Sequence, residues 1–268
     1  GNSSDFGDLI TAMRSSSNAS SMTRALSAGG YGSDYTDTIE CKEFASEGNA
    51  ADFGNLTRAA YDPQSGNVGN TTRGIFAGGH ISPTQDNVIQ YVTIATFGNG
   101  TDFGDLTVNR QGMGGISSNT RGAFGGGVSD PAEVNVIDYI TIASTGNATD
   151  FGDISATRNE VSAVSSGVRG VFGGGYESPT RVNKIEYITI ASTSNTSDFG
   201  DLTSARYDFA PASNSTRGLF AGGAAPGVSD IIDYITIASA GNAADFGDLT
   251  AVRRGIVGNS DSHGGLQA

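Results

Sequence analysis

Residues 136–154 read VIDYITIASTGNATDFGDI, and the same phrase returns as VIQYVTIATFGNGTDFGDL at 88–106, KIEYITIASTSNTSDFGDL at 184–202 and IIDYITIASAGNAADFGDL at 231–249. Its first half is rich in Ile, Tyr and Thr, the residues that a pleated ladder favours. Ile137 and Tyr139 fall on one side of such a strand, Ile140 and Ile142 on the other. A strand that is apolar on both faces must be covered on both. The second half, DFGDI, places a Phe and an Ile among Asp residues that suit a turn. A unit of this kind cannot bury itself alone and needs stacked copies of itself.

Working outward, Asp-Phe-Gly begins at Asp5, Asp52, Asp102, Asp150, Asp198 and Asp245, in steps of 47, 50, 48, 48 and 47 residues. A second element, Arg-Gly-apolar-Phe-small-Gly-Gly, starts at Arg73, Arg121, Arg169 and Arg217, with a weaker copy, RALSAGG, at Arg24. Each unit of about 48 residues therefore reads as four short strands. Strand A follows the Arg after DFGDLT, as in 110–117; strand B is RGxF; strand C is YITIA; strand D is DFGDLT. Four antiparallel strands per unit, stacked face to face, predict an all-β fold, the β-propeller. No window keeps a 3.6-residue period, and Gly interrupts every unit, which excludes a helical solenoid.

The order T-x-x-R, Ser, R-G-x-F-G-G-G and a tyrosine-bearing strand resembles the Kelch propeller repeat. Phe103, Phe151, Phe199 and Phe246 stand where that family has Trp. The wording YITIASTGNATDFGDI, at 139–154, also resembles repeat segments of virion structural proteins from marine phages, especially those of cyanobacteria. The resemblance implies a non-enzymatic virion component and an extracellular particle as its location.

The strand count predicts one domain over 1–268, with blade units at 14–57, 62–107, 110–155, 158–203 and 206–250 and terminal strands at 5–10 and 253–268. Five full repeats and a partial sixth favour a six-bladed ring whose last blade is shared between the chain ends. A shared blade hides the edges of the ring. Five blades with loose ends is the alternative.

Composition narrows the partners. A net charge of −13 disfavours a nucleic-acid phosphate backbone, and no apolar run is long enough to span a membrane. The start, at Gly1 without Met, has neither the basic region nor the apolar core of a signal peptide. It fits a processed product or a segment of something longer, and the chain is expected to be soluble. The single Cys41 excludes an intramolecular disulfide framework.

Candidate chemistry is thin. The Asp-Phe-Gly triplet is not a kinase magnesium motif, because it recurs six times with no nucleotide loop. A calcium ion at each Asp-Phe-Gly turn is an alternative to plain turn and Arg-pairing roles. The expectation is no metal and no cofactor. The arginines at the start of strand B, including Arg73, Arg121, Arg169 and Arg217, and those before strand A, Arg110, Arg158, Arg206 and Arg253, recur beside carboxylates and predict pairing between strands or blades. Asn99, Asn147 and Asn195, placed before Asp-Phe-Gly, read as polar turn residues. Only His80 and His263 are neutral-pH bases, and no Ser/His/Asp order or isolated carboxylate pair stands out.

The repeat breaks between strands B and C, in five dissimilar loops: YGSDYTDT, HISPTQDN, VSDPAEVN, YESPTRVN and AAPGVSD. Loops on a rigid scaffold carry binding residues, and strand alternation sends all five to one rim. Tyr31, Tyr35, His80, Tyr176, Glu177 and Arg181 are the side chains there suited to a sugar or protein surface. The resulting expectation is a tail-fibre, tail-tip or capsid-associated protein that contacts other virion proteins or copies of itself and binds a host surface glycan or protein. The alternatives are a glycan-active propeller with carboxylates in its axial channel and a Kelch-type protein-interaction adaptor.

Overall fold

Strand C, apolar on both faces, lies inside its sheet with B on one edge and D on the other, and the rest of the architecture follows from this. The computed structural model describes residues 4–62 and 64–266. Blade 1 is Ser17–Ser20, Arg24–Ala28, Thr38–Glu43 and Ala51–Asn55. Blade 3 is Met113–Ser117, Arg121–Gly125, Val136–Thr141 and Thr149–Asp153. Blade 4 is Ser162–Ser165, Arg169–Gly173, Lys184–Thr189 and Ser197–Asp201; blade 5 is Ala210–Ser213, Arg217–Ala221, Ile231–Thr236 and Ala244–Asp248. In each the strands run antiparallel in the order A-B-C-D.

Blade 2 follows the plan with Arg73–Ala77, Val88–Thr93 and Thr101–Asp105. Its inner segment meets strand B through a Gly69–Gly74 bridge and an Ile75 N–H to Val68 carbonyl bond of 2.9 Å. Just before it, Gln64–Ser65 pairs in parallel with strand A of blade 3. The five A segments face the axis.

The invariant Phe-Gly has a geometric cause. Ile137 pairs with Gly152 and the next residue, Asp138, with Asp150, so Phe151 is the extra residue of a β-bulge. The same register shift recurs in the other four blades. A bulge bends its strand and raises its twist. Gly152 carries a φ of 141°, and a Cβ there would lie 2.5 Å from the Ser194 carbonyl oxygen of the next blade. Only glycine fits.

The core lies between blades rather than within them. Ile75, Ile89, Phe103 and Leu106 of blade 2 form one buried cluster with Phe124, Ile140 and Ile142 of blade 3. Ile137 and Phe151 of blade 3 join Phe172, Ile188 and Ile190 of blade 4 in the next, and equivalent clusters join blades 1 to 2 and 4 to 5. The two apolar faces of strand C are thus both covered. Burial of this kind stabilises by about 25 cal/mol per Å² of apolar surface removed from water.

Polar staples fix the stacking. Arg73, Arg121 and Arg169 donate Nη1 to the carbonyls of Ile142, Ile190 and Ile237 in the following blade, at 2.7, 2.8 and 3.0 Å. Each guanidinium lies over the tyrosine of its own strand C, 4.4, 4.3 and 4.2 Å from the ring centres of Tyr91, Tyr139 and Tyr187. Arg110, Arg158 and Arg206 are fully shielded from solvent and pair with the strand-C carboxylates of Asp138, Glu186 and Asp233. The Asn147 and Asn195 side chains accept the backbone N–H of Asp105 and Asp153 across blades, both at 3.1 Å.

Five blades form among the described residues, so the six-bladed expectation is corrected to the alternative count. The reason lies at residues 253–266. They enter beside the axis as a strand A would, with Ser15 N–H donating to the Gly255 carbonyl at 2.8 Å, and then run down the channel instead of building a sheet. Asn18 and Asn67 both donate to the Gly258 carbonyl. Ser20 Oγ donates to the Ser260 carbonyl at 2.6 Å, and a 3₁₀ turn at Gly264–Leu266 closes the far end. Residues 267 and 268 of the expected terminal strand lie outside the described residues. The other expected terminal strand, 5–10, lies alongside blade 1, where Gly48 N–H donates to the Phe6 carbonyl at 2.9 Å. No helix of the described chain is long and apolar enough to cross a membrane.

Candidate functional site

The two residues that lead into each strand A decide what the axial mouth presents. In chain order they are Arg14-Ser15, Tyr61-Asp62, Gln111-Gly112, Asn159-Glu160, Tyr207-Asp208 and Arg254-Gly255. The second of each pair lies in the left-handed region, with φ of 50, 53, 67, 50, 59 and 64°. Glycine is the natural occupant of such a position, as at Gly112 and Gly255. A side chain there costs on the order of 1 kcal/mol. Three of the six nonetheless carry carboxylates.

The chain of contacts is tight. Asp62 N–H donates to the Ser15 carbonyl at 2.9 Å and Gly112 N–H to the Asp62 carbonyl at 3.0 Å, so the backbone itself rings the axis. Asp62, Glu160 and Asp208 line a cavity of about 30 Å³ with Ser15, Gly112 and Gly255. Their carboxyls repel one another in a poorly solvated cup. Burial first, and Glu160 and Asp208 second, raise the Asp62 carboxyl well above its ordinary range. Burial and Asp208 push Glu160 up to about 7. Asp208 rises to about 6 through burial, offset by Arg254, the Gly255 N–H and Arg14. Desolvation disfavours the charged form, and like charges add to it. Among the described residues no group of His, Cys, Asp and Glu side chains has the geometry to hold a metal ion.

The first residue of each pair couples this mouth to the loop rim. Arg14 bridges to Tyr31, Tyr61 to His80, Asn159 to Tyr176 and Tyr207 to Ala224, so rim and carboxylates share one face. Three of the expected rim residues meet: Tyr31, Tyr35 and His80 form a single cluster. Tyr35 stacks on Tyr61, with centroids 6.0 Å apart and planes at 21°, and Tyr31 meets both edge-on. Tyr35 Oη hydrogen-bonds His80 Nδ1 at 3.1 Å, and Ser82 N–H donates to the same nitrogen at 3.2 Å. Nδ1 is therefore the acceptor, and the ring proton sits on Nε2. Arg14 lies 5.3 Å from the Tyr31 ring centre.

Tyr176, Glu177 and Arg181 belong to a second patch, at the junction of blades 4 and 5. Tyr176 meets Tyr207 edge-on at 5.8 Å, Arg181 lies 5.6 Å from the Tyr207 ring centre, and Glu177 Oε1 is 3.5 Å from Arg158 Nε. The six expected residues therefore divide between two patches on one face. Sequence reasoning missed Tyr61, Tyr207, Asp62, Glu160 and Asp208. Their signal was present: the dipeptide before strand A varies from repeat to repeat as the B–C loops do, so the repeat breaks there as well.

Of the Asp-Phe-Gly carboxylates, Asp5 and Asp245 each accept the N–H of their own glycine, at 3.0 and 3.1 Å, the geometry of an Asx turn. Comparison of the sequence with protein-family models and with curated proteins finds no match.

Proposed function

We propose that this β-propeller is a non-enzymatic recognition module that binds a host surface glycan, or a protein, through its tyrosine-lined face. The observation that carries the reading is the cluster of Tyr31, Tyr35, Tyr61 and His80 beside the carboxylate mouth. Aromatic rings that are apolar on the face and polar at the tip give large contact area at small entropic cost. Sugar hydroxyls would find acceptors in Asp62, Glu160 and Asp208. The repeat wording supports placement in a virion tail or capsid-associated protein, among other virion proteins or copies of itself.

A glycan array on the isolated chain, followed by calorimetry on the hits, tests the proposal. Tyr35→Ala and Tyr61→Ala should each weaken binding about tenfold, the loss of one good aromatic anchor. An array without hits, and no retention of host surface proteins, would overturn it.

One observation favours the enzymatic alternative. Glu160 and Asp208, held at about 7 and about 6, are poised as a glycosidase acid must be. Release of reducing sugar that disappears in both Glu160→Gln and Asp208→Asn would select that reading.

A further inference from the structure

Aromatic side chains are not spread evenly around the rim. The B–C loops of blades 3 and 5, VSDPAEVN and AAPGVSD, carry none. The rings gather at two places instead, and both are built on the same dipeptide. Tyr61-Asp62 leads into strand A of blade 2 and Tyr207-Asp208 into strand A of blade 5, and no other lead into a strand A carries an aromatic residue. In each Tyr-Asp the ring joins a rim patch while the carboxyl enters the cup. Tyr61 packs with Tyr31 and Tyr35, Tyr207 with Tyr176 and Arg181, and Asp62 and Asp208 line one cavity. Neighbouring Cα atoms are about 3.8 Å apart, so each patch stands at the lip of the cup. Blades 3 and 4 lie between the two, which puts the patches on facing sides of the axis.

Side-chain contacts hold the patches at a fixed spacing. Tyr35 in the B–C loop of blade 1 bonds His80 in that of blade 2. Gln85 in the loop of blade 2 donates to Asp130 in that of blade 3 at 2.5 Å, and Glu133 there accepts the Ser178 N–H of blade 4 at 3.0 Å. The rim is thus latched in series from one patch to the other. A compact ligand covers one patch, and only a chain reaches both.

Between them lie Asp62, Glu160 and Asp208. Glu160 and Asp208, at about 7 and about 6, share protons near neutrality, so they both donate and accept hydrogen bonds, as sugar hydroxyls do. A peptide chain binds through its backbone at an open strand edge. The rim loops of blades 3 and 4 offer none: Tyr176 pairs with Arg181 and bridges Asn159, and Val128 pairs with Glu133 and bridges Gln111.

We propose that the ligand is a linear glycan chain laid across the axial mouth and gripped at two points, one sugar on Tyr35 and Tyr61 and another on Tyr176 and Tyr207, with the hydroxyls between them over Asp62 and Asp208. The inference rests on the glycan reading and specifies the form of its ligand.

The polysaccharide that scores highest on the array is cut by partial hydrolysis into a ladder from disaccharide to dodecasaccharide, and each rung is titrated into the full chain by calorimetry. Affinity should rise in one step of about a hundredfold at the rung long enough to span, because the second contact is then made within the complex. Longer rungs should add little. Tyr207→Ala should return the dodecasaccharide to the affinity of the disaccharide, whereas Tyr207→Phe, which keeps the ring, should retain the step. Tyr176→Ala interrogates the same patch from a loop, so the test survives if Tyr207→Ala fails to fold.

Level affinity along the ladder, or a step that survives both alanine variants, overturns the two-point chain and leaves glycan recognition standing. An array without hits ends both. An extended peptide that binds with the same dependence on the two patches, in place of any glycan, would assign the surface to a protein partner and equally overturn the proposal.

Discussion

Arg110 donates through Nη2 to Asp138 Oδ2 at 2.9 Å with both side chains fully shielded from water. The pair is set into a network. Asp138 also accepts Thr107 Oγ1 at 2.6 Å and Thr107 N–H at 3.2 Å, while the guanidinium reaches the Val136 and Phe124 carbonyls at 2.7 and 3.1 Å. Burial drags the Arg110 pKa down to about 10, with Asp138 opposing it. The pair therefore locates strand C against the turn before strand A.

Breaking that pair from one side should be costly. Asp138→Ala leaves a buried guanidinium without its counter-charge, for which the expected loss is about 3–5 kcal/mol. The double variant Arg110→Met with Asp138→Leu should lose much less, because no charge remains buried. Urea denaturation of the three proteins checks the order.

The carboxylate cup should make Glu160 a liability at neutral and higher pH. Its folded pKa, about 7, lies above its ordinary 4.5, so the native state binds the extra proton between those values. Stability then falls as pH rises through that window. Glu160→Gln should match the parent at pH 4 and exceed it at pH 8 by on the order of 2 kcal/mol, allowing for solvent at the cup. Equal Tm differences at both pH values would refute this.

His263 works in the opposite sense. Its Nε2–H donates to the Ser20 carbonyl at 3.2 Å, and its Nδ1 accepts Gly265 N–H at 3.1 Å. Burial lowers its pKa from 6.5 to about 4, against a smaller upward pull from the Ser20 carbonyl. The unfolded chain thus binds the proton first, and the stability that neutral His263 gives is complete above 6.5 and lost as pH falls to about 4. Protonation puts a hydrogen on Nδ1 facing the Gly265 N–H. Protection of the amides across 260–266, measured against their intrinsic exchange rate at each pH, should fall between pH 6 and pH 4 while strand C stays protected. Over the pH range that the two windows share, the Glu160 and His263 contributions have opposite sign.

Gly152→Ala should disturb two blades at once. The φ of 141° and the 2.5 Å approach to the Ser194 carbonyl oxygen leave no room for a Cβ. A loss of about 2 kcal/mol or more is expected, together with faster exchange in both strand D of blade 3 and the 192–196 turn. Exchange confined to blade 3 would show that the neighbouring turn does not depend on this contact.

The sequence by itself determined the all-β class, the four-strand unit and the propeller. These depend on short-range facts: a strand such as 136–142, apolar on both sides, has no stable form except between two others, and a 48-residue period supplies them. It also placed Tyr31, Tyr35 and His80 on a common rim, since alternation of strand direction sends every B–C loop the same way. Tertiary structure alone decided the blade count, because residues 253–266 match a strand A in sequence, and only the space left on the axis turns them inward. It alone brought Asp62, Glu160 and Asp208 together. Each lies about one repeat or more from the next along the chain, and closure of the ring converts equal positions in sequence into neighbours around one axis. Periodicity names what every blade must contain, whereas the contacts across the axis depend on how many blades fit around it.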